Sequence, residues 1–461
     1  MPRNIIIFSD GTGQRGGVLF DEPRSNIYKL FRATRCGPDT VIDPAEQLTF
    51  YDPGIGTKPQ GKGFLVSLWD RIANTVSQAL GIGLTGNIID CYAALVRLWR
   101  PGDRIFLFGF SRGAYTVRCL GGVVALCGIP TTNGSEALRV DRGSARKIAQ
   151  EAVKQVYMHT HSRSRKAASE RETRWLDQRV ELARRFREKY ASGDSQDANV
   201  YPYFVGVFDT VAALASPSAV MMLVSVGLVV VAALSALLWS SLPFGLGYPW
   251  WGWFLATLFV TLGGAYIWNF GTRLRWEFGL PHFKWWRPFH LLNMRMKFYD
   301  TSLNTKVMYA RHALAIDERR LSFDRVPWGT PGEWPARPAG PQWFEQTWFA
   351  GCHSDVGGSY PEDESRLSDV ALKWMLEAAQ SVGLKHDAAL LRLYPDPMGM
   401  QHDETRRFPF KWAKKLDREI KPEAPLHPSV LERLKAKEVL QYDIYGPYVP
   451  ISLENHKSRK S

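Results

Sequence analysis

Residues Arg104-Ile105-Phe106-Leu107-Phe108-Gly109-Phe110-Ser111-Arg112-Gly113-Ala114-Tyr115 put an apolar, strand-like run directly before a Gly-x-Ser-x-Gly pentapeptide. A helical pattern follows at once, with Tyr115, Val117, Cys119, Leu120 and Val123 on its apolar face. This is the layout of a nucleophile elbow: a buried parallel strand, a sharp turn with the serine at its apex, then a helix. Gly109 and Gly113 fit because neighbouring backbone passes close to such a turn. The chain holds 39 glycines, so the pentapeptide alone is a modest signal and its flanks carry the reading.

The other strand-like runs fall in a consistent order. Ile5–Phe8 is short and β-branched and stops at Ser9-Asp10-Gly11-Thr12-Gly13. Ser25 caps a first helix, and Leu48–Tyr51 forms a second strand ending in Asp52-Pro53-Gly54. A helix over Leu84–Trp99 precedes the elbow strand. Tyr203–Phe208 ends at Asp209, and Gln346–Ala350 ends in Gly351-Cys352-His353-Ser354-Asp355. Helices alternating with short buried strands predict an α/β fold with a mainly parallel sheet. Five divisions are expected: residues 1–135 carry the elbow, 136–200 form a basic helical insertion, and 201–216 carry the Asp209 strand. Residues 217–271 form an apolar insertion and 272–461 the histidine-bearing half with a C-terminal cap.

The order Ser111, Asp209, His353, each residue after its own strand, predicts a Ser–Asp–His triad for acyl transfer at an ester. The oxyanion donors expected are backbone N–H groups of Arg112 and of the Gly11–Thr12 loop. In the other reading of that loop, Asp10 simply caps a tight turn. Asp355 is the rival acid, two residues from His353, though i, i+2 geometry suits it poorly to orienting that ring. The chemistry calls for no cofactor and no metal. Five scattered cysteines without CxxC spacing argue against a zinc site and a disulfide framework. The apolar run at the N-terminus is too short for a signal peptide.

No Asp, Glu, Lys or Arg occurs between Asp209 and Arg273. Ser218–Leu242 and Tyr248–Phe270 are each as long as a bilayer-crossing helix requires. Tryptophans sit near their ends, and Arg273, Arg275, Lys284, Arg287, Arg295 and Lys297 follow. The pattern predicts a transmembrane hairpin with both flanks cytoplasmic, hence a catalytic part on the cytoplasmic side of a bacterial inner membrane. A pair of buried core helices is the alternative. The net charge of +13 and the Arg163–Lys166 tract suit anionic lipid better than nucleic acid, because interleaved aromatics are missing. No specific nucleic-acid partner is expected, and the sequence leaves the oligomeric state open.

Together these motifs resemble one family, the α/β-hydrolase domain of bacterial and fungal proteins that includes the phospholipase effectors of the type VI secretion system. The matching stretches are Phe8–Gly13, Asp52–Thr57, Gly109–Ala114, Phe208–Val211, Arg311–Arg320 and Gly351–Gly358. The resemblance implies an α/β-hydrolase fold and phospholipase A-like cleavage of a phospholipid or other lipid ester. It places Ser111, Asp209 and His353 in the triad. The apolar hairpin, and a toxin-delivery extension not recognisable in the sequence, set the chain apart from exported effectors. The rival from another class is a catalytically silent membrane scaffold or lipid-binding protein that keeps the hydrolase fold.

Overall fold

The computed structural model describes residues 2–11, 22–54, 83–160, 168–211, 217–241, 249–292, 303–329, 341–406, 411 and 415–459. Besides two short two-stranded ribbons, at Thr132–Asn133 with Glu136–Ala137 and at Val439–Gln441 with Ile444–Gly446, its strands are β1 (Asn4–Ser9), β2 (Gln47–Asp52), β3 (Arg104–Phe110), β4 (Pro202–Phe208), β5 (Leu274–Trp276), β6 (Phe289–Leu291), β7 (Tyr309–Ala315) and β8 (Phe344–Phe349). Six of them form one sheet in the order β8-β7-β4-β3-β1-β2, every neighbouring pair parallel. Strands buried on both faces read as continuous apolar runs, which is why Ile5–Phe8 and Ile105–Phe108 are so plain in the sequence. Tyr309–Ala315 mixes Arg311 and His312 into its run; it is an inner strand whose polar side chains are buried, with Arg311 Nη1 donating to Gln342 O and His312 Nδ1 3.2 Å from Gln346 Oε1.

The helices are α1 (Asn26–Thr34), α2 (Gly83–Leu98), α3 (Arg112–Cys127), α4 (Arg142–Gln150), α5 (Glu170–Tyr190), α6 (Pro217–Ser241), α7 (Trp250–Arg273), α8 (His353–Gly357), α9 (Arg366–Gln380) and α10 (Pro428–Lys435). They cover both faces of the sheet. One core joins α2, α3 and α5 to β1 and β3; the other joins α1 and α9 to the opposite face. Ser25 caps α1 by accepting from the Tyr28 N–H at 3.0 Å, as its sequence position suggested. The basic insertion is less solvated than its composition suggests, since α5 buries Leu176, Ala183, Phe186 and Tyr190. Residues 163–166 lie outside the described residues.

The apolar insertion forms α6 and α7, which pack against one another. Among the described residues one helix is long and apolar enough to cross a membrane, Trp250–Arg273, with mean hydropathy 1.3. In α6 the apolar stretch is the shorter Gly227–Ser241. Two full spans were expected; by length and composition one helix among the described residues qualifies, so the two-span hairpin is not supported. A buried core pair is also not what forms. Phe259 is 79% exposed and Trp268 75% exposed.

Candidate active site

Ser111 stands between β3 and α3 with φ 58° and ψ −120°, outside the ordinary regions for a residue with a Cβ. Such a conformation costs of order 1–3 kcal/mol and persists only where the surroundings impose it. Here they do. The Ser111 N–H donates to Phe208 O at 3.1 Å, tying the turn to the end of β4. A Cβ on Gly113 would stand 2.5 Å from Asp10 O, and one on Gly109 would meet Gly113 O at 2.5 Å. Those two glycines let α3 leave β3 between β1 and its own strand.

Asp209 follows β4, the neighbouring strand, and also has a positive φ, 37°. Its N–H donates to Ala313 O at 2.8 Å, and its Oδ1 accepts from the Ala315 N–H at 3.1 Å. The carboxylate is thus held from β7. Its Oδ2 lies 2.5 Å from His353 Nδ1. His353 opens the short helix α8 after β8, where a glycine-rich loop was expected. Its N–H donates to Glu318 Oε2 at 3.2 Å. Its ring stacks on Phe110, the residue before Ser111, with centroids 4.6 Å apart, and Phe323 meets it edge-on at 5.0 Å. Its Nε2 is buried and has no hydrogen-bond partner among the described residues. Phe208, the acceptor for the Ser111 N–H, immediately precedes Asp209, so the sheet brings Ser111, Asp209 and His353 together at the carboxyl ends of β3, β4 and β8.

One residue of this cluster was not legible in the sequence. Arg418 comes from the C-terminal region, read only as a cap. Its Nη1 and Nη2 donate to Asp209 Oδ1 at 2.5 Å and Oδ2 at 3.0 Å, and further to Ala315 O and Phe323 O. Burial pushes the Asp209 carboxyl up, but the Arg418 guanidinium and His353 outweigh it and hold the group far below the usual carboxylate range. Asp209 therefore stays ionised although it is fully buried. Nothing in the local sequence marks Arg418, which lies 209 residues from its partner.

Asp355 is directed elsewhere. Its Oδ1 lies 2.7 Å from His402 Nδ1, and its Oδ2 accepts the N–H groups of Cys352 and His402. The expectation that it could orient His353 is corrected by that pairing. The Gly11 assignment is corrected as well: its N–H donates to Asp10 Oδ1 at 2.7 Å. Thr12, the other half of that loop, lies outside the described residues. Arg112 opens α3, where backbone N–H groups lack intrahelical acceptors. Asp10 is the turn's organising residue, taking Ser25 Oγ at 2.5 Å and Tyr51 Oη at 2.8 Å besides Gly11. Burial, with Asp52 close by, pushes its carboxyl up to about 7 despite those bonds.

Comparisons with known proteins agree with the motifs. A family profile described as "T6SS, Phospholipase effector Tle1-like, catalytic domain" matches residues 3–242 and 275–378. An uncharacterized protein of Saccharomyces cerevisiae, YEL023C, is 32% identical over 143 residues, 30% of this chain; the chain spans a fifth of that protein's length. Two solved structures are similar. An uncharacterized protein from Pseudomonas aeruginosa is 16% identical with TM-score 0.34, covering 86% of this chain and 48% of that one. The Tle1 effector bound to the VgrG spike of the type 6 secretion system is 14% identical with TM-score 0.36, covering 86% of this chain and 77% of that one. The profile leaves out all of α7 but covers well over half of the chain, so the chain belongs to the family of Tle1-like phospholipase effector catalytic domains.

Proposed function

We propose that the protein is a serine hydrolase that cleaves acyl esters of phospholipids, with Ser111 as nucleophile, His353 as base and Asp209 as the acid that orients it. The observation that carries this reading is His353: its Nδ1 is fixed by Asp209, and its buried Nε2 is unclaimed beside the elbow. A histidine so held is in the right tautomer to accept a proton at Nε2. The family's description as phospholipases supports a lipid ester as substrate.

In the first step Ser111 Oγ bonds to the ester carbonyl carbon while His353 Nε2 takes the hydroxyl proton. The carbonyl π electrons move onto oxygen, and the backbone N–H of Arg112 stabilises that charge. A donor of this kind is worth about 3–4 kcal/mol. Collapse breaks the ester C–O bond, and His353 returns its proton to the leaving alkoxide. Water then attacks the acyl-enzyme with His353 as base, releasing the fatty acid and restoring Ser111. Asp209 stays ionised throughout, with Arg418 holding its far edge.

The helix pair α6 and α7 sets this domain against a lipid bilayer, because its apolar side chains face outward. Val229, Phe259, Ile267 and Trp268 are 68–79% exposed, more apolar surface than a chain in water leaves uncovered. The active site is then cytoplasmic, with both flanks of the pair on its side. The test is fatty-acid release from phospholipid–detergent micelles by the purified full chain. Release that is lost in Ser111→Ala is the expected result. No release, or release unchanged by Ser111→Ala, overturns the reading and leaves a silent membrane scaffold.

A further inference from the structure

The ribbon of β5 and β6 begins at Leu274, the residue directly after α7. Side chains alternate between the two faces of such a ribbon. Arg275 and His290 are paired across it and share one face, while Trp276 and Phe289 share the other. The inner face is bolted to the domain. Arg275 Nε donates to Met158 O at 3.1 Å; His290 Nδ1 lies 3.0 Å from Glu277 Oε1, and His290 Nε2 lies 2.9 Å from His159 O. Glu277, fully buried, also takes Gln178 Nε2 at 3.0 Å and Trp175 Nε1 at 3.2 Å from α5.

Among the described residues the outer face is uncovered. Trp276 is 56% exposed, Phe278 60%, Trp285 78% and Trp286 62%. Phe278 lies between Trp276 and Phe283, with ring centroids at 5.5 and 5.4 Å, and Trp285 meets Trp286 at 5.7 Å. Lys284 and Arg287 rise from the same turn without an acidic partner among the described residues, and Lys284 Nζ stands 5.8 Å from the Trp286 ring centroid. Tryptophan suits the layer between acyl chains and headgroups, having an apolar body and a polar N–H. Basic side chains are drawn to an anionic leaflet. The patch is also continuous in the chain with the outward apolar face of α7.

We infer that the ribbon 274–292 is an interfacial anchor that lies in the headgroup layer of an anionic bilayer, with Lys284 and Arg287 on lipid phosphates. The inference rests on the reading of α6 and α7 as membrane-embedded. It adds the height of the domain: because Glu277 and His290 lock the ribbon to α5, the ribbon sets how far the sheet stands from the lipid.

The test uses the full chain in vesicles of phosphatidylglycerol and phosphatidylcholine, with Cys36→Ser to clear the partly exposed native thiol. Nitroxides are attached at Trp285→Cys on the ribbon, Phe259→Cys on α7 and Lys147→Cys on the exposed side of α4. Collision with an aqueous nickel chelate should be several-fold lower at 285 than at 147, and collision with dissolved oxygen should place 285 shallower than 259. If 285 matches 147 while 259 is deep, the anchor is overturned and the membrane reading stands; a protein partner for the ribbon would give this result. If 259 also matches 147, the membrane reading itself fails. Lys284→Glu with Arg287→Glu should abolish the protection of 285 in phosphatidylglycerol-rich vesicles; unchanged protection overturns the lipid-phosphate contact.

Discussion

Two buried aspartate–histidine pairs meet in one short helix. His353 opens α8 and bonds Asp209; Asp355, two residues on, bonds His402. The Nδ1–carboxylate distances are alike, 2.5 and 2.7 Å, and all four side chains are almost wholly buried. The difference lies on the other nitrogen. His402 Nε2 lies 3.1 Å from Glu364 Oε2, and Tyr360 covers the ring at 3.5 Å. Burial opposes its charge, yet Asp355 and Glu364 together hold the imidazole above its ordinary range. His402 is saturated on both sides and ties α8 to the C-terminal region. The Nε2 of His353 has no partner among the described residues, and its ring stacks on Phe110, the residue before the strained Ser111. A buried polar atom without a partner is costly, so its presence in a packed site points to a use.

The largest effects should fall on the pair of Asp209 and His353. Asp209→Asn leaves the shape but favours the wrong tautomer of His353, so ester hydrolysis should fall by about 10⁴-fold. His402→Gln should leave kcat within a few-fold of wild type. If His402→Gln proves as damaging to kcat in folded protein as Asp209→Asn, the assignment of the two pairs is wrong.

Arg418→Met comes next. It removes one partner of a buried ion pair, which costs about 3–5 kcal/mol. Chemical denaturation should show it, together with a carboxyl at Asp209 that protonates at higher pH than in wild type. A stability within 1 kcal/mol of wild type by the same measurement, about the scale of a surface pair, would contradict the burial described here.

The saturated pair should make a smaller mark, on stability alone. His402→Gln loses hydrogen bonds to two carboxylates, worth about 1–3 kcal/mol. The folded state raises the His402 pKa, so its contribution is complete below the unfolded value near 6.5 and is lost as pH climbs through the folded one. The Tm gap between wild type and His402→Gln should therefore be wider at pH 6 than at pH 9. A gap that does not change with pH would mean the ring is neutral.

Asp10 shows in the pH dependence of stability alone. Its folded pKa is raised to about 7, so the folded protein binds the extra proton between the unfolded value and 7. Asp10 therefore lowers stability as pH rises through that window, by at most about 1.4 kcal/mol per pH unit. Asp10→Asn should flatten this slope in urea titrations, and an unchanged slope would show that Asp10 is ionised throughout.

What the sequence made legible follows its physics. Apolar runs such as Ile5–Phe8, and glycines at 109 and 113, are local signals, because a doubly covered strand and a crowded turn restrict composition residue by residue. The order of Ser111, Asp209 and His353 was readable because each ends a strand of one parallel sheet. Arg418 and His402 were not. Both reach the site from a segment without periodicity, and only tertiary folding brings Arg418 to Asp209 or His402 to Asp355. The Gly11 assignment failed for a similar reason: a loop after an early strand offers an N–H, but only the fold shows that Asp10 takes it. The apolar insertion was visible as a run of 63 residues without charge between Asp209 and Arg273, while its division into helices was not.

In the proposed mechanism His353, and not His402, activates Ser111. The direct measurement is covalent labelling by a fluorophosphonate probe in wild type, Ser111→Ala, His353→Ala and His402→Gln, each checked for folding. Wild type and His402→Gln should label at similar rates, and Ser111→Ala and His353→Ala should not label. Labelling that survives Ser111→Ala, or that is lost in folded His402→Gln while His353→Ala still labels, would contradict the account.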